Sequence, residues 1–221
     1  MIPSVASLPL KPNSAILIAG STGSGKTEWV YRLLRNADQM FEVPPTCILY
    51  CYATYQKRFD DMLRDVENLT FHQGLPSVMD IKHLAASGDH SILVLDDLAE
   101  ETVESPVMLK MFTTNCHHMG ITTLFIMQNI FTQGKFARSI SLNAHYIVLL
   151  KSLRDVNQIS YLGRQLFSKK AACLEESFRE CTKTPYGYLL VDLSPHSDDR
   201  FRLRTNIFPG EYSVIYQAKE Q

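Results

Sequence analysis

The sequence predicts an α/β fold, with a mostly parallel central sheet and helices on both faces. Three observations carry that expectation. The run Gly20-Ser21-Thr22-Gly23-Ser24-Gly25-Lys26-Thr27 joins a short apolar stretch to a helical pattern. A second apolar stretch, Ile92 to Leu95, ends in Asp96-Asp97. Short apolar runs then alternate with helix-like periodicity through most of the 221 residues. Continuous apolar runs suit strands buried on both faces. Their alternation with helices implies parallel order with helical crossovers.

Each element follows from local pattern. Residues 1–13 carry Pro3, Pro9 and Pro12 and read as an extended leader without the basic start of a signal peptide. The main domain is expected over residues 14–209, with 210–221 a C-terminal tail. Ala15 to Ala19 is the first strand. Lys26 to Asn36 is helical, pairing Trp29 with Leu33 and Val30 with Leu34 at i, i+4. Pro44-Pro45 breaks the chain before a strand over Thr46 to Tyr52. Gln56 to Val66 is a helix, and Leu69 to His72 a short strand closed by Gly74 and Pro76. Ser77 caps a helix to Ala86, and Gly88 follows it. After the Ile92 to Leu95 strand, Pro106 opens a helix to Cys116 with Met108, Met111 and Phe112 on one face. Gly120 stops it. Thr122 to Met127 and Tyr146 to Leu150 are buried strands. Asp155 to Leu166 and Lys169 to Cys181 are helices. Tyr186 to Leu193 and Phe201 to Ile207 close the sheet as an antiparallel pair joined by a polar turn.

Composition narrows the function. The net charge is −1, from 22 basic and 23 acidic residues, so the chain lacks the general positive charge of proteins that coat DNA. One basic segment stands out. Residues 132–183 hold nine Lys/Arg against four acids, a net +5. No apolar stretch nears the roughly 18 residues that span a bilayer, so no membrane partner is expected. The five cysteines are an odd number without metal-type spacing, and reduced thiols in an intracellular compartment are expected. Cys116-His117-His118 reads as a helix end rather than a zinc site, because adjacent histidines splay apart on a helix.

The run from Gly20 to Thr27 is a complete phosphate-binding loop, G-x-x-x-x-G-K-[ST]. Its glycines let backbone N–H groups converge on a polyphosphate, and the helix behind it presents a positive dipole end. Lys26 can reach the β- and γ-phosphates, and the Thr27 hydroxyl can ligate Mg²⁺. Asp96, at the end of a buried strand, can hold the Mg²⁺ shell, usually through water. Asp97 can orient or deprotonate the attacking water. The fold is therefore read as a P-loop NTPase with an extra strand between the P-loop and Asp96 strands. Gln128, ending that extra strand, can donate to the γ-phosphate and accept from the water. Arg138 lies in a polar loop before a strand and can stabilise transition-state charge at a neighbouring subunit. Arg154 is the second candidate for that task.

The order of these pieces resembles the viral genome-packaging ATPases of the FtsK–HerA superfamily, the type found in poxviruses, virophages and Maverick/polinton or adintovirus-like elements. The likeness runs from about Ser14 to Pro209, through ILIAGSTGSGKT (16–27), ILVLDDL (92–98), NCHHMGITTLFIMQNIF (115–131) and GKFARSISLNAHYIVLLKSLRD (134–155). It implies an ATP-driven, Mg²⁺-dependent motor that assembles as a homo-oligomeric ring. Such a motor moves double-stranded DNA, without regard to sequence, into a capsid whose proteins are its further partners. It implies that Lys26, Thr27, Asp96, Asp97 and Gln128 line the nucleotide site and that Arg138 is the finger in trans. It places the protein in an infected cell's nucleus or cytoplasmic virus factory, or with the virion. Much of the superfamily carries Glu where this chain has Asp97. Two other readings stay open. One is a nucleoside-type P-loop kinase, which needs lid arginines that the sequence does not cluster. The other is a nucleotide-switched assembly or scaffold protein.

Overall fold

The computed structural model describes residues 8–115, 118–152, 156–167 and 171–217. Nine strands form one sheet: β1 (Ala15–Ala19), β2 (Cys47–Tyr52), β3 (Leu69–Gln73), β4 (Ser91–Asp96), β5 (Ile121–Met127), β6 (Tyr146–Leu150), β7 (Tyr188–Asp192), β8 (Leu203–Thr205) and β9 (Val214–Tyr216). Their order is β3-β2-β4-β5-β1-β6-β7-β8-β9. The first six in that order are parallel, and β7, β8 and β9 pair antiparallel. β5 separates the P-loop strand β1 from β4, as the extra-strand expectation requires.

Alternation along each strand feeds two cores. Ile16 and Ile18 face α1 (Lys26–Arg35), α2 (Ala37–Met40) and α3 (Arg58–Asp65) through Trp29, Leu33, Met40 and Phe59. Ala15 and Leu17 face the other layer, where Leu84, Met108, Ile159 and Phe178 pack. That layer holds α4 (Val78–Ala85), α5 (Ala99–Glu104), α6 (Pro106–Lys110), α7 (Ala137–Leu142), α8 (Val156–Phe167) and α9 (Ala171–Cys181). Burying both faces of a parallel sheet is what makes its strands read as continuous apolar runs. Cys51 belongs to this core, and burial pushes its thiol up to about 12.

The structure corrects several element expectations. The helix expected from Pro106 to Cys116 is α-helical only to Lys110 and widens into a π-helical turn over Met111–Asn115. The Thr113 hydroxyl donates to the Leu109 carbonyl at 2.9 Å, competing for an acceptor the α-helix would use. Cys116 and His117 lie outside the described residues. The polar loop around Arg138 contains α7, and a helix absent from the sequence reading, α5, follows Asp97. β9 falls within the stretch read as a tail, and it pairs with β8 through Arg204 and Ile215. Leu10, in the expected leader, is buried and bridges Phe41.

Candidate active site

The site is built where β1, β4 and β5 end on the same side of the sheet. β1 hands over to Gly20, where an added Cβ would stand 2.7 Å from Ser24 Oγ and 2.9 Å from Leu150 Cβ. The loop therefore curls tightly on itself and on the end of β6. The Ser21 hydroxyl ties it to Lys151 O at 3.0 Å, and Ser24 N–H closes a turn on Ser21 O at 3.1 Å. Gly23 and Gly25 have φ of 78° and 100°, a left-handed region that glycine enters without steric cost. Gly25 is the N-cap of α1 and supplies no side-chain cap. The helix's leading N–H groups thus face an anion site instead of a capping oxygen.

Lys26 extends back over the loop. Its Nζ donates to Gly20 O at 2.7 Å and to Ser21 O at 3.0 Å. Burial lowers its pKa, against the pull of the Asp96 and Asp97 carboxylates. Asp96 closes β4 at 4% exposure. The Tyr50 hydroxyl on β2 donates to its Oδ2 at 2.7 Å. Burial raises the Asp96 pKa, with Tyr50 acting the other way. Asp97 follows at φ 58° and is exposed. β5 ends at Met127, which sets Gln128 between the Asp96 strand and the P-loop strand.

These groups meet around one open cleft of about 910 Å³. Thr22, Gly23, Gly25, Lys26 and Thr27 form one wall; Asp96, Asp97, Gln128 and Asn129 form the facing one. The structure thus brings the two aspartates and the amide to the loop. Gly20, Ser21 and Ser24 shape the loop from behind and are not among the lining residues. Sequence reading missed Gln56, Glu100 and Glu101, which also line the cleft, and Tyr50 behind Asp96. Arg138 does not reach it: it is exposed on α7. Arg154 lies outside the described residues. Among the described lining residues Lys26 is the one cation, set against Glu28, Asp96, Asp97, Glu100 and Glu101.

A smaller concavity of about 440 Å³ between α1 and α3 is lined by Arg32, Arg35, Arg58 and Arg64 with Glu28, Asp61 and Asp65. Arg58 binds Glu28 and Asp61, and Arg64 binds Asp61 and Asp65. Arg58–Glu28 joins the two helices, and the other pairs lie within α3.

No family model matches the sequence, and no curated protein does. Solved structures do match. The DNA-packaging ATPase B204 of Sulfolobus turreted icosahedral virus superposes with a TM-score of 0.56 at 12% identity, over 96% of this chain and 100% of that one. The fold is that of a P-loop NTPase. The genome-packaging NTPase B204 of Sulfolobus turreted icosahedral virus 2 in complex with AMPPCP gives 0.55 at 10% identity, over 94% and 98%. The same protein with ATP-gammaS gives 0.50 at 12%, over 92% and 96%.

Proposed function

We propose that the chain is an ATP-driven motor that translocates double-stranded DNA and packages a viral genome. The observation that carries this reading is the single cleft uniting the P-loop with Asp96, Asp97 and Gln128. The packaging motifs read in the sequence and the fold shared with B204 support it.

Thr27 and Asp96 offer a hydroxyl and a carboxylate, hard oxygen donors that suit Mg²⁺. Among the described residues no cluster of three or more His, Cys, Asp or Glu could cage a metal. That fits an ion completed by water and phosphate oxygens. Bound there, Mg²⁺ would neutralise charge developing between the β- and γ-phosphates. Lys26 exchanges the Gly20 and Ser21 carbonyls for phosphate oxygens. The amides of the loop and first helical turn cradle the chain. Asp97 accepts a proton from the attacking water, and Gln128 orients that water against the γ-phosphate. An arginine to stabilise the transition state is missing from the described lining. Arg138 is exposed and outside its own cleft, and we assign it to the active site of a neighbouring copy in a ring. The same absence speaks against a nucleoside kinase, which closes arginines over its phosphates.

Contact with DNA is assigned to the basic segment. Lys135, Arg138, Lys151 and Arg164 are exposed, whereas Arg179 pairs with Glu175 and Lys183 with Glu180. Lys169 and Lys170 lie outside the described residues. Binding of this kind is indifferent to sequence and falls steeply with salt. No helix of the described residues is long and apolar enough to cross a membrane. The deciding measurement is ATP turnover with and without linear duplex DNA at low salt. Stimulation by DNA that vanishes in Lys26→Ala is expected. Turnover unmoved by DNA removes the motor.

A further inference from the structure

The turn between α9 and β7 carries an aromatic side chain that the phosphate site leaves unused. Thr184–Gly187 closes with the Gly187 N–H donating to Thr184 O at 3.2 Å. Pro185 takes the second position, and Tyr186 the third with φ of 62°. Turns with positive φ at the third residue favour glycine or asparagine there. A bulky side chain in that conformation is a steric outlier. The ring is not used in the core either, since Tyr186 is 68% exposed. It lies instead against the phosphate-binding loop: a Cβ placed on Gly25 would stand 2.7 Å from Tyr186 Cδ1. Gly187 leaves the turn little freedom, because a Cβ there would stand 1.9 Å from Cys181 O.

Topology says which end of a nucleotide this ring meets. β1 runs between β5 and β6. Asp96 and Gln128 stand at the ends of β4 and β5, on one side of the loop. β7 begins at Tyr188, paired with Leu150 at the end of β6, so Tyr186 stands on the other side. A triphosphate whose γ end meets Asp96 and Gln128 crosses the loop and delivers its nucleoside toward β6 and β7.

We propose that Tyr186 is the platform on which the nucleobase stacks, an inference that rests on the triphosphate site described above. A ring face reads stacking area and carries no hydrogen-bond code. It therefore favours purine over pyrimidine nucleotides and does not separate adenine from guanine.

The test compares binding of Mg-ADP and magnesium tripolyphosphate to wild type, Tyr186→Phe and Tyr186→Gly by calorimetry, with melting curves alongside. Tyr186→Phe should keep both affinities. Tyr186→Gly should bind ADP about tenfold more weakly, hold tripolyphosphate as before, and melt no lower, because glycine accepts positive φ freely. ADP binding by Tyr186→Gly within about twofold of wild type overturns the platform. Equal loss of both probes overturns it too, since the ring would then only shape the loop. Wild type that binds neither probe removes the triphosphate site, and the platform with it.

Discussion

At Asp96 the demands of folding and of the proposed chemistry conflict. Its carboxylate is nearly enclosed at the end of β4, and burial lifts its pKa, partly offset by the Tyr50 hydroxyl and Lys26. The folded state therefore holds the Asp96 proton more tightly than the unfolded chain does. Stability on this account is greatest below the unfolded carboxyl pKa and is lost as pH rises through the raised folded value. Once the Asp96 carboxyl is ionised, the full desolvation cost is in place. Asp96→Asn removes the charge and keeps an acceptor for Tyr50. It should raise the melting temperature by about 3 °C, on the order of 1 kcal/mol, and flatten that part of the pH profile. Turnover should fall by about 100-fold or more. Melting and steady-state assays on one preparation check both halves, and a variant no more stable than wild type at neutral pH contradicts the burial argument. Most of this site was legible in the sequence because its requirements are local. Gly23 and Gly25 announce positive φ, and an apolar run ending in acids announces a buried strand end. Tyr50 was not legible, because its partner lies 46 residues away and only strand register brings the two together.

Elements show the same division between local and non-local information. Ser77 was readable as a cap, and its hydroxyl accepts from Asp80 N–H at 3.2 Å while Asp80 Oδ2 accepts from Ser77 N–H at 2.8 Å. Ser77→Ala should cost about 1 kcal/mol, a melting shift near −3 °C, with turnover unchanged because α4 does not line the cleft. Gly120 was readable as a helix stop, yet its tighter constraint comes from a distant turn. Its φ is 69°, and a Cβ would stand 2.7 Å from Asp89 O. Gly120→Ala should destabilise by about 2 kcal/mol, and a melting temperature within about 1 °C of wild type would refute the constraint. The elements that escaped the sequence reading include β9, α2, α5 and α7. Three to six residues are too few to show a period. β9 is defined by its antiparallel pairing with β8, and that pairing is invisible in so short a stretch of sequence. The π-helical turn escaped for another reason: apolar spacing is the same whether or not Thr113 diverts the Leu109 carbonyl.

For the molecule as a whole, the acid-rich cleft with Lys26 as the one cation in its described lining sets the question of how the transition state of the proposed hydrolysis would be stabilised. If Arg138 from a neighbour completes it, every active site is shared between two copies, and each copy contributes two separable halves. Lys26→Ala destroys the phosphate half of a subunit and leaves its arginine intact. Arg138→Ala does the reverse and should retain nucleotide affinity. Each variant alone should be inactive. Mixed in equal amounts and allowed to reassemble, a head-to-tail ring places an intact loop beside an intact arginine at about a quarter of its interfaces. Turnover should therefore reappear, up to about a quarter of the wild-type rate if interfaces act independently, and less if hydrolysis passes around the ring in order. A site completed within one chain gives no recovery at any mixing ratio. DNA-stimulated turnover of the mixture, measured across ratios, separates these outcomes, because activity that needs two different broken subunits cannot come from either one.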